Sequence, residues 1–139
     1  MKRSVGVLAF LGVAACAAPA ARQPSSPAAT AGDPALGERV YHRHCFACHA
    51  LEPGRNTPAG PTLHDIAWRP IAAEPGFDYS PALRRLAEHN GRWSPMLLDH
   101  FLADPAAVAP GTEMGFPGLG DEAERRAVIR WLEAQRPRD

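Results

Sequence analysis

Leu97, Leu98, Phe101 and Leu102 fall on one face at helical spacing, and so do Val128, Ile129, Trp131 and Leu132. The first set is opened by Ser94-Pro95. A serine side chain there accepts from free amides, and proline follows where a missing amide costs nothing. The same device recurs at Asp33-Pro34, predicting a helix to about Cys45, and at Ser80-Pro81, predicting a short helix that stops at Asn90-Gly91. The last set starts at Asp121 with Glu124 three residues on, the spacing of a capping box, and Pro137 ends it. Met96, near the start of the third segment, reads as core filler. No run shows the strict alternation of a half-buried strand, so the expected class is all-α.

The helices are short and the segments between them long, notably 50–79 and 105–120, both rich in Pro and Gly. Loops of that length in a compact domain need something else to organise them. A large apolar cofactor would do so, supplying core that the helices do not.

Composition changes this picture mainly at the N-terminus. The 139 residues suit one domain with an extension, and the formal charge of zero gives no case for nucleic acid as a partner. Lys2 and Arg3 precede a short apolar run from Val5 to Ala15, the pattern of an export signal and too short for a spanning helix. The run ends Val13-Ala14-Ala15-Cys16, which resembles the lipobox of bacterial lipoproteins, where the cysteine is acylated and becomes the mature N-terminus. We read residues 1–15 as signal peptide and Cys16 as the lipidation site. Ordinary cleavage near Ala18-Pro19-Ala20, discarding Cys16, is the alternative. Residues 17–32, built of Ala, Pro and Ser with a single charge, read with Cys16 as a flexible tether, and 33–139 as the folded domain. Loss of Lys2 and Arg3 leaves 13 basic and 15 acidic side chains.

The strongest chemical signal is Cys45-Phe46-Ala47-Cys48-His49, a C-x-x-C-H haem-attachment motif. Two thiols at this spacing can add to the two vinyl groups of one porphyrin, and the following imidazole is placed to bind the iron. A redox dithiol normally follows a strand in a βαβ setting, which is missing, and a zinc site would need a second Cys or His pair. Pro110-Gly111-Thr112-Glu113-Met114 then sets a lone methionine in a loop between helices, off any periodic face. A thioether is a soft neutral ligand that favours ferrous iron. His42, His44, His89 and His100 read as surface residues.

With these motifs the chain resembles the class I cytochromes c, in the subgroup that includes the mitochondrial protein. Further matches are Gly60-Pro61-x-Leu63-His64, Arg69, Pro75-Gly76-Phe77-x-Tyr79, Trp93, Phe101-Leu102-x-x-Pro105, Phe116-x-Gly118-Leu119 and Arg125 with Trp131. The resemblance implies the class I fold, short helices and long loops around one haem c held by thioethers at Cys45 and Cys48. It implies axial bonds from His49 and Met114, with the Pro61 carbonyl fixing the His49 ring and Thr112 steadying the Met114 loop. Arg69, Tyr79 and Trp93 would bond or neutralise the buried propionate. Gly37 and Tyr41 on the first helix would meet Val128 and Trp131 on the last. Three departures stand out. Phe101 replaces a common Tyr facing the methionine, Trp68 replaces a common Gly, and the Lys-rich docking ring is missing.

The expected function is a single-electron carrier, not an enzyme. It would be a monomer in a periplasmic respiratory chain, exchanging electrons with membrane-bound or periplasmic redox proteins, and held to the membrane face by a lipid at Cys16. A haem enzyme or gas sensor is the rival reading and requires weak or absent ligation by Met114. A haem-free dithiol is the third and would be colourless.

Overall fold

The computed structural model describes residues 33–135. Five helices occur among them: α1 (Pro34–His44), α2 (Pro81–Asn90), α3 (Pro95–Ala103), α4 (Pro105–Val108) and α5 (Glu122–Ala134). No strand is present among the described residues; one isolated antiparallel bridge joins Pro70 to Arg92. The all-α expectation holds. Cys16, the segments 1–15 and 16–32, and Pro137 lie outside the described residues.

The cap-and-proline signals mark true helix starts. Asp33 accepts from the Ala35 amide, Ser80 from Leu83 and Ser94 from Leu97. The segment 105–120, expected to be loop throughout, opens with the short helix α4, where Asp104-Pro105 is the same device and Asp104 accepts from Ala107. At α5, Asp121 caps the amides of Ala123 and Glu124, but the reciprocal half of a capping box is not made. The Glu124 carboxylate instead accepts from Arg43 of α1 at 3.1 Å.

α1 packs chiefly on α5, and α3 on α4 and α5. The crossing of α1 and α5 is set by Gly37, where an added Cβ would collide with the Ala127 carbonyl oxygen and the Trp131 Cβ. The core runs from Val40 and Tyr41 through Ala127, Val128, Ile129 and Leu132 to Leu98 and Phe101. Burying each of the larger aliphatic and aromatic groups contributes about 1.5–3 kcal/mol. Met96 is not core filler. It is 70% exposed, because the buried face of α3 is that of Leu98 and Phe101, on the opposite side of the turn.

Arg125 locks the segment before α5. Its Nε donates to Asp99 of α3 at 2.9 Å and its Nη1 to the carbonyls of Leu119 and Gly120 at 2.8 and 3.0 Å. The Leu119 amide donates to Leu102 at 2.7 Å, so the loop rejoins α3 just before α5 begins. The segment 61–72 is pinned to the chain after α2: Trp68 N–H donates to Trp93 at 2.7 Å, Trp93 N–H to Arg69 at 3.0 Å and Ile71 N–H to Gly91 at 3.0 Å. Asp65, Trp68 and Ala72 in this segment have φ of 54°, 69° and 55°, the left-handed region that L side chains enter at a cost. Trp68 thus occupies a backbone conformation suited to Gly, and the residue is 52% exposed.

Candidate haem site

Cys45 to His49 form one further turn beyond α1. Cys45 and Phe46 N–H donate to Tyr41, and Cys48 and His49 N–H to Cys45, at 2.8–3.0 Å. This puts both cysteines and His49 within a single turn continuous with α1. The Tyr41 hydroxyl donates to the His49 carbonyl at 2.7 Å, fastening the turn to the α1–α5 core. Cys45 is half-buried and Cys48 exposed. Burial, then the neighbouring Cys48, pushes the Cys45 thiol up to about 11. That is opposite to the lowered pKa of a redox dithiol, and it argues against the dithiol reading.

His49 Nδ1 lies 2.7 Å from the Pro61 carbonyl oxygen. A carbonyl only accepts, so Nδ1 carries the proton and Nε2 keeps its lone pair for a ligand bond. Burial lowers the imidazole pKa, against the hydrogen bond to Pro61 that raises it, and the Arg69 charge lowers it further. The neutral, ligating form is therefore favoured. The ring lies close against Gly60, where an added Cβ would sit 2.5 Å from His49 Cε1 and 2.7 Å from Nδ1.

Two residues not singled out from sequence build this loop. The Thr57 hydroxyl donates to the Cys48 carbonyl at 2.6 Å and accepts from the Ala59 and Gly60 amides. Asn56 accepts from the Thr62 amide and donates to the Pro75 carbonyl at 2.8 Å, tying the two halves of the long loop together. A Thr or Asn within a Pro/Gly stretch is the available signal, since such side chains bond locally to backbone.

From Thr112 to Gly118 exposure alternates, so that Thr112, Met114, Phe116 and Gly118 are half-covered while Glu113, Gly115 and Pro117 are exposed. Met114 packs on the core, and its amide donates to Thr112 Oγ1 at 3.3 Å. The Thr112 amide donates to Ala109 at 2.9 Å. Trp93 is buried against Phe101, ring centroids 5.0 Å apart. His42, His44, His89 and His100 are exposed.

Arg69 is no exposed charge. Its Nη1 donates to the His64 carbonyl and to Glu74 Oε2, and its Nη2 to the Thr62 carbonyl, all at 2.8 Å. Its Nε is buried without a partner. Tyr79 is half-buried beside this pair. Burial raises its phenol pKa, the Arg69 charge and a hydrogen bond at the Glu74 backbone lower it, and the Glu74 charge raises it.

These features fit a haem. An orphaned guanidinium N–H suits a carboxylate brought by the cofactor. Leu51, Leu63, Leu97, Leu102, Met114 and Phe116 pack on the core while only half covered, apolar surface that a large flat group could take from water.

The comparisons agree with the site. Cytochrome c2 of Rhodopila globiformis is 36% identical over 102 residues, covering 73% of this chain and 92% of that protein. Cytochrome c-type cyt cy of Rhodobacter capsulatus is 41% identical over 106 residues, or 76% of this chain, which spans 51% of that longer relative. Among solved structures, cytochrome c2 from Rhodospirillum centenum superposes with a TM-score of 0.69 at 34% identity, covering 76% of this chain and all of that one. No family model matches the chain. The protein belongs to the class I cytochrome c family. It is accordingly a monohaem electron-transfer protein rather than an enzyme, with haem c attached through Cys45 and Cys48, carrying electrons between other proteins.

Proposed function

We propose that the protein is a periplasmic single-electron carrier of a respiratory chain, with His49 and Met114 as the axial ligands. The hydrogen bond from His49 Nδ1 to Pro61 carries this reading, because it aims the free Nε2 and fixes the tautomer that binds iron. When bound, haem supplies a one-electron ferrous/ferric couple whose potential rises with His/Met ligation. The remaining work falls to the chain. Pro61 and Gly60 hold the imidazole ring in one orientation. Thr112 holds the backbone at Met114. Arg69, Tyr79 and Trp93 would receive the buried propionate, which the unpartnered Nε of Arg69 supports. His49 and Met114 would hold the iron without leaving a place for a substrate, and the exposed Cys48 and the 61%-exposed Phe46 would put the attachment turn within reach of a redox partner.

The partners in this reading are membrane-bound or periplasmic redox proteins, a reductase as donor and an oxidase or periplasmic reductase as acceptor. Acylation at Cys16 would confine the domain to the membrane face and raise its effective concentration near them. No described helix is long and apolar enough to cross a membrane. Optical spectra of oxidised and reduced protein test the ligation. A c-type reduced spectrum with the weak far-red band of ferric iron on Met sulfur is expected. Haem without that band, with rapid CO or cyanide binding at neutral pH, would move the sensor or enzyme reading ahead.

A further inference from the structure

The partner of Arg69 is an acidic residue that the electron-carrier reading leaves without a role. Glu74 stands between Ala73 and Pro75 on the exposed course of the long loop, yet its side chain is only 10% exposed and that of Arg69 only 13%. The two form a 2.8 Å ion pair inside the protein, whereas the pair Arg84–Asp78, four residues along, is open to solvent. Burying a carboxylate costs several kcal/mol unless a cation compensates it, and Arg69 is the cation set against Glu74.

The remaining bonds of Arg69 define what Glu74 does. Two of its donors are spent on the His64 and Thr62 carbonyls, and Nη1 is shared with Glu74. Nε is the one nitrogen of this guanidinium that is buried with no partner at all. A cofactor carboxylate meeting Nε therefore meets a guanidinium whose charge is already balanced. The site as a whole, counting Arg69, Glu74 and that carboxylate, is then one negative charge in excess, in a region where interactions are poorly screened.

We propose that Glu74 is a potential-setting residue: by neutralising Arg69 in advance, it leaves the haem-facing pocket net negative and favours the ferric over the ferrous state. This rests on the reading that Arg69 faces a haem propionate. Removing the charge of Glu74 then destabilises the oxidised form and raises the midpoint potential.

Glu74→Gln keeps the shape and leaves an amide oxygen to accept from Arg69 Nη1. In the purified holoprotein its ferrous-to-ferric ratio at fixed ambient potential is expected to rise about tenfold over wild type, equivalent to about 59 mV for one electron. The far-red ferric band should be retained. Glu74→Ala is the second variant should the first fold poorly, with a shift in the same direction. Asp78→Asn removes the same formal charge from an exposed pair and is the control, expected to shift the ratio less than twofold. A Glu74 variant that keeps the far-red band but moves no further than Asp78→Asn would overturn the proposal and leave the carrier reading intact. Loss of the band in wild type would instead count against His49/Met114 ligation, independently of Glu74.

Discussion

The Tyr41 hydroxyl, buried at the α1–α5 contact, donates to the backbone carbonyl of His49 at 2.7 Å, while its ring lies 5.1 Å from that of Trp131. One side chain thereby joins the attachment turn to the helix at the far end of the domain. Tyr41→Phe keeps the aromatic packing and leaves the carbonyl without its partner. We expect a loss of about 1–2 kcal/mol in denaturant unfolding, with the haem spectrum unchanged. A change below about 0.3 kcal/mol would mean that water replaces the hydroxyl at no cost.

Gly37→Ala tests the helix crossing. In an isolated helix Ala is favoured over Gly, so local propensity predicts stabilisation. Here the new methyl meets the Ala127 carbonyl and the Trp131 Cβ, neither of which can rotate away. Packing should prevail, with a net loss of about 1–3 kcal/mol on chemical denaturation.

Arg125→Leu removes three hydrogen bonds and strands the Asp99 carboxylate. A destabilisation of about 2–4 kcal/mol is expected. Because Arg125 also holds the end of the Met114 loop, heating should abolish the far-red band at a lower temperature than it melts the helices. Coincident loss of the two signals would deny Arg125 that local role.

Ala72 sits at φ 55° and is half-buried, with no large side chain to lose. Ala72→Gly relieves the backbone strain while adding freedom to the unfolded chain. The net gain should be about 0.5–1 kcal/mol, read as a higher midpoint in urea.

Tyr79 gives a pH dependence of known sign. Burial raises its phenol pKa above the ordinary 10.0. The folded state thus holds this proton more tightly than the unfolded one. The resulting stability is full below pH 10 and is lost as pH climbs through the raised value. Denaturation midpoints measured from pH 8 to 11.5 should fall less steeply for Tyr79→Phe than for wild type.

The sequence shows most of the helical frame because its signals are local. Asp33-Pro34, Ser80-Pro81 and Ser94-Pro95 each state where a helix begins, and the structure agrees. Asp104-Pro105 is the same signal, but the helix it opens lasts only four residues, too short to show any periodicity. Met96 is exposed although it sits near a helix start, since that position says nothing about which side of the turn faces the core. The attachment motif was legible because chemistry fixes its spacing. Glu74 was not, since an acidic residue beside a proline looks solvent-exposed until the fold brings Arg69 against it. The roles of Thr57 and Asn56 were hidden likewise, as their partners at Cys48 and Pro75 lie across loops without periodicity.

The contact of α1 with α5 bears on how the chain reaches this state. Gly37 and Ala127 meet across about ninety residues of sequence, and the largest helix–helix contact joins the first described helix to the last. Closing so long a loop carries an entropic cost before any core is gained, and such non-local topology slows folding. A chain lacking α5 leaves Val40 and Tyr41 without their cover, so the attachment turn has nothing firm behind it. The turn Cys45 to His49, fastened to Tyr41, therefore gains its packed support only once α5 has closed on α1, late in the folding of the chain.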